Sequence, residues 1–340
     1  MNIVILAGGL SPERDVSLSS GTRIANALIE RGHRVLLLDV YTGLEHLPKD
    51  PLSLFGSEPL EDYRIPETPP DLASLRRSAG RGDALIGENV LAVCAAADRV
   101  FLALHGGMGE NGQLQATLDV HGISYTGSGY LGSCLAMDKE ISKRIFESVG
   151  VPTPRWMMLD AVTGRPEEVI RRIGLPCVVK PTGCGSSVGI RMADSAAELC
   201  EAIAEAARYG TRILIEEKIV GRELTVGILE GEVLPVVEIL PEEGFYDYVN
   251  KYRGTTREVC PAEIPAEVAA RAGELTKRAF AALQLAHYAR FDFLMDSAGE
   301  LWCLEANTLP GMTPTSLLPQ AASAAGISYG ELCERIARGV

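Results

Sequence analysis

Three oxygen-bearing side chains late in the chain, Asp292, Glu305 and Asn307, have the types and spacing to hold a hard divalent cation. They lie in RFDFLMDSAGELWCLEANTLPGM, residues 290–312, where two apolar-rich runs flank the turn signal Asp296-Ser297-Ala298-Gly299. A β-hairpin closed there by a two- or four-residue loop sets Asp292 opposite Glu305 and Arg290 opposite Asn307. Side chains alternate across a strand, so these four share one face, while Phe291, Phe293, Trp302 and Leu304 share the other, which reads as core. Opposed carboxylates repel and lose hydration, and folding alone supplies no reason to pair them. A bound cation does. Two carboxylates and an amide offer only oxygen, the ligand choice for Mg²⁺, usually completed by substrate phosphates. A one-residue slip in register would instead put the acids on different faces, one of them in solvent.

The elements that must position these groups belong to a chain of 340 residues, long enough to predict two or three domains. With 46% hydrophobic and 23% charged residues, the composition is that of a soluble globular protein. No apolar run approaches membrane-spanning length, and MNIVILAGG reads as a strand rather than a signal peptide. Cys94, Cys134, Cys177, Cys184, Cys200, Cys260, Cys303 and Cys333 form no CxxC pair and are expected to be reduced thiols of a cytoplasmic protein. A formal charge of −13 argues against nucleic acid or an anionic membrane as partner. Any bound phosphate must be met locally, by lysine, arginine, backbone N–H groups or metal.

Residues 2–7 read as a buried strand ended by Gly8-Gly9. A helix with Ile24, Ala27 and Leu28 on one side follows, then a second strand at 34–40. This β-loop-α-β start predicts a parallel sheet with a functional loop, carrying Glu13 and Arg14, at the carboxyl end of its first strand. Residues 41 to about 87 are rich in proline and read as a surface insertion rather than a lid. A strand at 99–104 ends in the glycine-rich loop HGGMGENG, with His105 a polar group suited to the neighbourhood of an anion or to a structural role. Gly127-Ser128-Gly129-Tyr130-Leu131-Gly132 matches GxGxxG. The following region reads as helix through Val149 with no strand ending in an acid, so a dinucleotide site is rejected in favour of glycines that open a helix at a domain junction.

Lys139 lies in that helix. A new α/β unit then brings a strand from Cys177 to Lys180 and the loop Thr182–Gly189, whose glycines and serines, with Lys180 at their base, suit backbone N–H contacts to phosphate oxygens. This is no Walker A loop, because the chain contains no Gly-Lys pair. Glu216, Glu217 and Glu223 sit at a strand end and a hinge, where acids can meet ribose hydroxyls and an adenine amino group or be plain surface charge. FYDYVNKYRGTT, residues 245–256, packs aromatic residues into a polar loop suited to covering a substrate.

Taken in order, GGLSPERDVSLSSG, ALHGGMGENG, MDKEISK, KPTGCGSSVG, YDYVNKY, RFDF and LEANTLPGMTPTS resemble the D-alanine–D-alanine ligases of the ATP-grasp superfamily. The likeness runs from residue 3 to about 335, with the Pro-rich stretch its weakest part. It implies mixed α/β and α+β architecture: a Rossmann-like domain over 1–127 with an insertion at about 41–87, a central ATP-grasp subdomain over 128–217, and a C-terminal ATP-grasp domain over 218–340. It implies an ATP site in which Lys139 and Lys180 hold the α- and β-phosphates. A loop including Gly185, Ser186 and Ser187 covers the phosphates, and Glu216, Glu217 and Glu223 line the adenosine end. Asp292, Glu305 and Asn307 hold two Mg²⁺ or Mn²⁺ ions, and a monovalent cation accompanies them.

For the amino acids, the resemblance assigns the first ammonium to Glu13, with Ser186 and Tyr252 linked to it across a lid. Arg290 and the Gly311 N–H take the oxyanion, Lys251 and Ser316 the second carboxylate, and His105 lies near the transferred phosphoryl group; Lys251 also approaches the γ-phosphate. The implied activity is D-alanyl-D-alanine synthesis through an acyl phosphate, in a cytoplasmic homodimer acting on small molecules. Glu217 followed by Lys218 departs from many relatives at the adenine segment, whereas Tyr252 favours a dipeptide over an ester product. The competing readings are another ATP-grasp ligase joining a D-amino acid to a different amino or hydroxy acid, and a non-catalytic nucleotide-binding regulator.

Overall fold

Strand β1 (Asn2–Ala7) is an unbroken apolar run in which every residue after the first is buried, so it needs cover on both faces. A computed structural model describes residues 1–66, 68–182, 189–240 and 257–339 and supplies that cover. β1 is the middle of a parallel sheet, flanked by β2 (Arg34–Asp39) and β3 (Arg99–Leu102), with α1 (Arg14–Glu30) crossing over from β1 to β2. The β-loop-α-β expectation holds, and Glu13 stands at the N-terminus of α1, above the carboxyl end of β1.

The Pro-rich segment contains α2 (Leu72–Ala79), capped by the Asp71 carboxylate. Before that helix the chain is tied along α1. Asn26 exchanges hydrogen bonds with both backbone groups of Leu60, Arg23 pairs with Asp62 at 3.1 Å, and the Tyr63 hydroxyl donates to Asp15 at 2.7 Å. Two residues later Ile65 reaches the wall of the main cleft. Three side chains of α1 thus hold the insertion to that rim.

After α3 (Val90–Ala96) and α4 (Gln113–Val120) come α5 (Tyr130–Met137) and α6 (Lys139–Ser148). The uninterrupted helix expected as far as Val149 is broken at Asp138. Its backbone is extended, and its carboxylate accepts from the Glu140 and Ile141 amides at 2.9 and 3.1 Å. The cap restarts the helix at Lys139 and sends that side chain toward the cleft. Gly129 opens α5, and at Gly132 a Cβ would lie 2.7 Å from the Gln284 carbonyl, so close packing explains the last glycine of GxGxxG.

An antiparallel sheet of order β4-β7-β5-β6 follows, from β4 (Trp156–Asp160), β5 (Cys177–Pro181), β6 (Arg191–Ala193) and β7 (Arg212–Glu217), packed against α7 (Pro166–Arg172) and α8 (Ala196–Ala206). The last sheet has the order β11-β10-β8-β12-β13, with β9 paired to β8. Its strands are β8 (Gly221–Leu229), β9 (Glu232–Val233), β10 (Val237–Leu240), β11 (Arg257–Val259), β12 (Tyr288–Asp296) and β13 (Leu301–Asn307). Helix α9 (Ala266–Ala282) covers it together with α5 and α6, which share a core with Phe291, Phe293 and Cys303. The closing helices α10 (Leu317–Ala324) and α11 (Tyr329–Arg338) return to the first sheet, where Leu318, Ala322 and Ile336 join the core of β1.

The hairpin pairs Arg290 with Asn307 and Asp292 with Glu305, as its pattern predicts, but not by a regular ladder. From the turn outward Met295 pairs with Leu301, Leu294 with Trp302 and Phe293 with Cys303. The register then shifts, leaving Leu304 without a partner in β12. This is a bulge, two residues facing one. It corrects the expected core face: Leu301 and Cys303 are fully buried beside Phe291 and Phe293, while Trp302 and Leu304 are partly exposed. Continued without the bulge, the turn-side register would set Asp292 against Leu304.

Candidate active site

Two cavities meet at Glu305. One, of about 640 Å³, opens between the first sheet's loops, the start of α6 and the end of β13. The other, of about 570 Å³, lies between the four-stranded and six-stranded sheets. Val178, Ile190, Met192, Leu294 and the bulged Leu304 give the second an apolar slot, with Lys180, Glu216 and Asp292 among its polar groups. The first is more polar, with Glu13, His105, Glu110, Lys139 and Arg290 in its wall.

Asp292 is 7% exposed and its two oxygens accept four hydrogen bonds. Arg290 donates from Nε and Nη2, each at 2.9 Å, Thr225 Oγ1 donates at 2.6 Å and Asn307 Nδ2 at 3.0 Å. Glu305 meets Lys139 Nζ at 3.1 Å. Each acid of the pair thus has its own cation, which revises the premise that folding gives no reason to oppose them. Burial works against the Lys139 charge, but Glu305, with Glu216 and Glu110 behind it, outweighs burial and raises its pKa.

Glu216 is 1% exposed, with one carboxylate oxygen on Lys143 and the other on Lys180. Burial alone would raise its pKa, yet the two lysines pull it down to about 2. Glu217 is bound by Arg155, from Nε at 2.7 Å and from the backbone N–H at 2.8 Å, and Glu223 also lines the apolar cavity.

In the larger cavity Glu13 lies against Gly106, where a Cβ would stand 3.0 Å from its Oε2. Burial lowers the pKa of His105, against the pull of Glu13 and the Leu309 backbone, and its Nε2 has no hydrogen-bond partner among the described residues. Ser316 opens α10 and its hydroxyl accepts from the Thr313 N–H at 3.1 Å; a Cβ on Gly311 would meet that hydroxyl at 2.9 Å. Gly311, Ser316 and the first residue of α10 line the wall together, so a helix N-terminus faces the cavity.

The structure therefore gathers Glu13, His105, Lys139, Arg290, Glu305, Asn307, Gly311 and Ser316 round one cavity, and Lys180, Glu216, Glu217, Glu223 and Asp292 round the other. Gly185, Ser186, Ser187, Lys251 and Tyr252 lie outside the described residues. Sequence reasoning missed three groups. Glu110 stood unassigned inside the quoted HGGMGENG loop. Lys143, four residues after Lys139, carried the only advance signal, a second lysine on nearly the same helix face. Thr225 reaches Asp292 through the pairing of β8 with β12, which no local pattern discloses.

Residues 2–128 match the family described as D-ala D-ala ligase N-terminus, and residues 145–338 match D-ala D-ala ligase C-terminus. The chain belongs to the D-alanine–D-alanine ligase family. This is a family of ATP-dependent ligases with the ATP-grasp fold, and the likeness spans the whole chain. The D-alanine–D-alanine ligase of Pediococcus pentosaceus is 43% identical over 100% of this chain and 97% of its own. That of Synechococcus sp. (strain JA-3-3Ab) is 41% identical over 99% and 92%. The crystal structure of the Bacillus anthracis D-alanine–D-alanine ligase complexed with ATP superposes with a TM-score of 0.75 at 29% identity, covering 100% of this chain and 97% of that one.

Proposed function

We propose that the protein joins two D-alanines to D-alanyl-D-alanine at the expense of ATP, releasing ADP and phosphate, for cell-wall synthesis. The observation that carries this is the position of Glu305, with Asn307 and Asp292 beside it, where a mostly apolar cavity with room for a nucleoside meets a more polar one with room for two small zwitterions.

The apolar slot takes adenine, with Glu216, Glu217 and Glu223 at the adenosine end, and Lys139 and Lys180 hold the phosphates. Gly185, Ser186 and Ser187 belong to the segment that covers them. Glu13 holds the first ammonium, linked to Ser186 and Tyr252, and leaves that substrate's carboxylate to attack the γ-phosphate beside His105. The resulting acyl phosphate carries a good leaving group. The second amine, deprotonated, attacks it, its carboxylate held by Ser316, the N-terminus of α10 and Lys251, and the C–O bond to phosphate breaks while Arg290 and the Gly311 N–H meet the oxyanion. Closure of the aromatic segment keeps water from the acyl phosphate.

Asp292, Glu305 and Asn307 fit divalent cations by donor chemistry, an all-oxygen set that phosphates would complete. Mg²⁺ bound there would offset repulsion between the attacking carboxylate and the phosphates. Asp292 accepts four hydrogen bonds, so a cation held there would take the place of one of these donors. The same family likeness is the ground for a monovalent cation, a homodimer, a cytoplasmic location and the three-part division at about 127 and 217.

Purified protein given ATP, Mg²⁺ and D-alanine is expected to yield ADP, phosphate and dipeptide in equal amounts. Equal ADP release with L-amino acids, or ATP binding without turnover for any amino acid, would overturn the assignment. Nucleotide-dependent Mn²⁺ binding, read by electron paramagnetic resonance, is expected to weaken roughly tenfold or more in Asp292→Asn and Glu305→Gln. Unchanged binding removes the residue from the ligand set.

A further inference from the structure

Lys143 is 1% exposed, yet no step above uses it. It projects from α6 to the junction of the two antiparallel sheets. Its ammonium contacts Glu216 on β7 and the Thr153 hydroxyl, which in turn donates to the Cys303 carbonyl of β13 at 2.8 Å. Lys180 holds the other Glu216 oxygen and lines the apolar cavity, whereas Lys143 does not.

One carboxylate needs one cation, and Lys180 already supplies it. Burying a second ammonium is costly, and burial together with Lys180 lowers the Lys143 pKa against the pull of Glu216. The cost has a use. Two lysines on one carboxylate leave the cluster with a net positive charge, presented to the cavity through Lys180. If Lys180 were alone, its departure toward a phosphate would strand a buried anion.

We propose that Lys143 is a positioning residue for nucleotide binding, holding the Glu216 carboxylate so that Lys180 can leave it for a phosphate. This rests on the reading of Lys180 as a phosphate ligand. The Thr153 hydroxyl gives the ammonium a second anchor, itself bonded to the Cys303 carbonyl, which keeps Lys143 in place when Lys180 turns away.

The test is a double-mutant cycle on nucleotide affinity, measured by isothermal titration with Mg²⁺·ADP and the intact chain. Lys143→Met is expected to weaken binding roughly tenfold or more and to raise KM for ATP alike, with KM for D-alanine little changed. In a Glu216→Gln background, where no anion is left to hold, Lys143→Met is expected to change affinity by less than about threefold. A folded Lys143→Met protein with wild-type affinity overturns the proposal. So does a loss of roughly tenfold in the Glu216→Gln background, which would mark Lys143 as packing only. If Lys143→Met does not fold, the Glu216→Gln pair still tests the proposal, because a roughly tenfold loss between Glu216→Gln and the double variant, both lacking the carboxylate to be held, overturns it. Wild-type protein that binds no nucleotide would sink the Lys180 assignment instead.

Discussion

Glu110 shares the larger cavity with Glu13, Arg290 and Glu305, one of its oxygens accepting from the Gly106 amide at 2.8 Å. Burial first, then the nearby Glu13 charge, push its carboxyl up to about 8. A carboxyl whose pKa is raised by folding keeps its proton where the unfolded chain has lost it, so its contribution to stability falls as pH climbs from about 4.5 to about 8. Glu110→Gln is therefore expected to melt with the parent at pH 4, but to be more stable at pH 9 in ligand-free, chelated buffer, by about 2 kcal/mol. Equal melting temperatures at both pH values would contradict this. Residues of this kind mark the limit of reading a sequence. Asp292 and Arg290 were legible because alternation along β12 fixes their face, whereas Glu305 comes to that face only through the bulge at Leu304, which alternation does not reveal. Glu110 and Lys143 acquire their character from burial by distant segments, which nothing beside them in the chain records.

At the scale of elements, the Pro-rich segment shows how a stretch without periodicity acquires a position. Its hold on α1 is made by side chains of the helix, and one of those links, the Tyr63 hydroxyl on buried Asp15, precedes Ile65 at the cavity wall by two residues. Tyr63→Phe is expected to raise KM for the amino acid several-fold, leave KM for ATP unchanged and cost about 1 kcal/mol of stability. An unchanged amino-acid KM would show that Ile65 holds its place without the link. The regular elements were easier to anticipate. A β1 that is apolar after Asn2, followed by an amphipathic helix and another strand, has few solutions other than a parallel sheet. The break at Asp138 was harder, because MDKE continues a helical pattern and only the capping geometry reveals the stop.

Across the whole molecule, the chain's last helices are built into the core of its first sheet, so the cleft is closed by contacts distant in sequence. Arg31, just past α1, and Arg338 of α11 both bind Glu334, and Arg99 of β3 donates to the Arg338 carbonyl at 2.9 Å. Hydrogen bonds from Arg31 and Arg338 draw the Glu334 carboxyl down to about 2 against the effect of burial. A carboxyl lowered by folding stabilises above its ordinary value, near 4.5, and loses that contribution as pH falls toward 2. Glu334→Gln is thus expected to be less stable than the parent at pH 7 by about 1–2 kcal/mol, with the gap closing toward pH 3. A gap that stays constant with pH would mean that shape, not charge, holds the helix. This long-range closure could not be read from local pattern, since α10 and α11 would be amphipathic whichever sheet they covered.

The unpaired Leu304 has a consequence for the reading frame of the hairpin. Shortening a strand by one residue ordinarily turns every following side chain to the wrong side. Here the excised residue is surplus to the ladder, so its loss would let Glu305 follow Cys303 directly and still come to rest opposite Asp292. A chain lacking Leu304 is expected to fold with Glu305 still opposite Asp292 while binding adenine nucleotides less tightly. Removing one residue from the regular stretch of β12, Phe293 for example, should cost the fold itself.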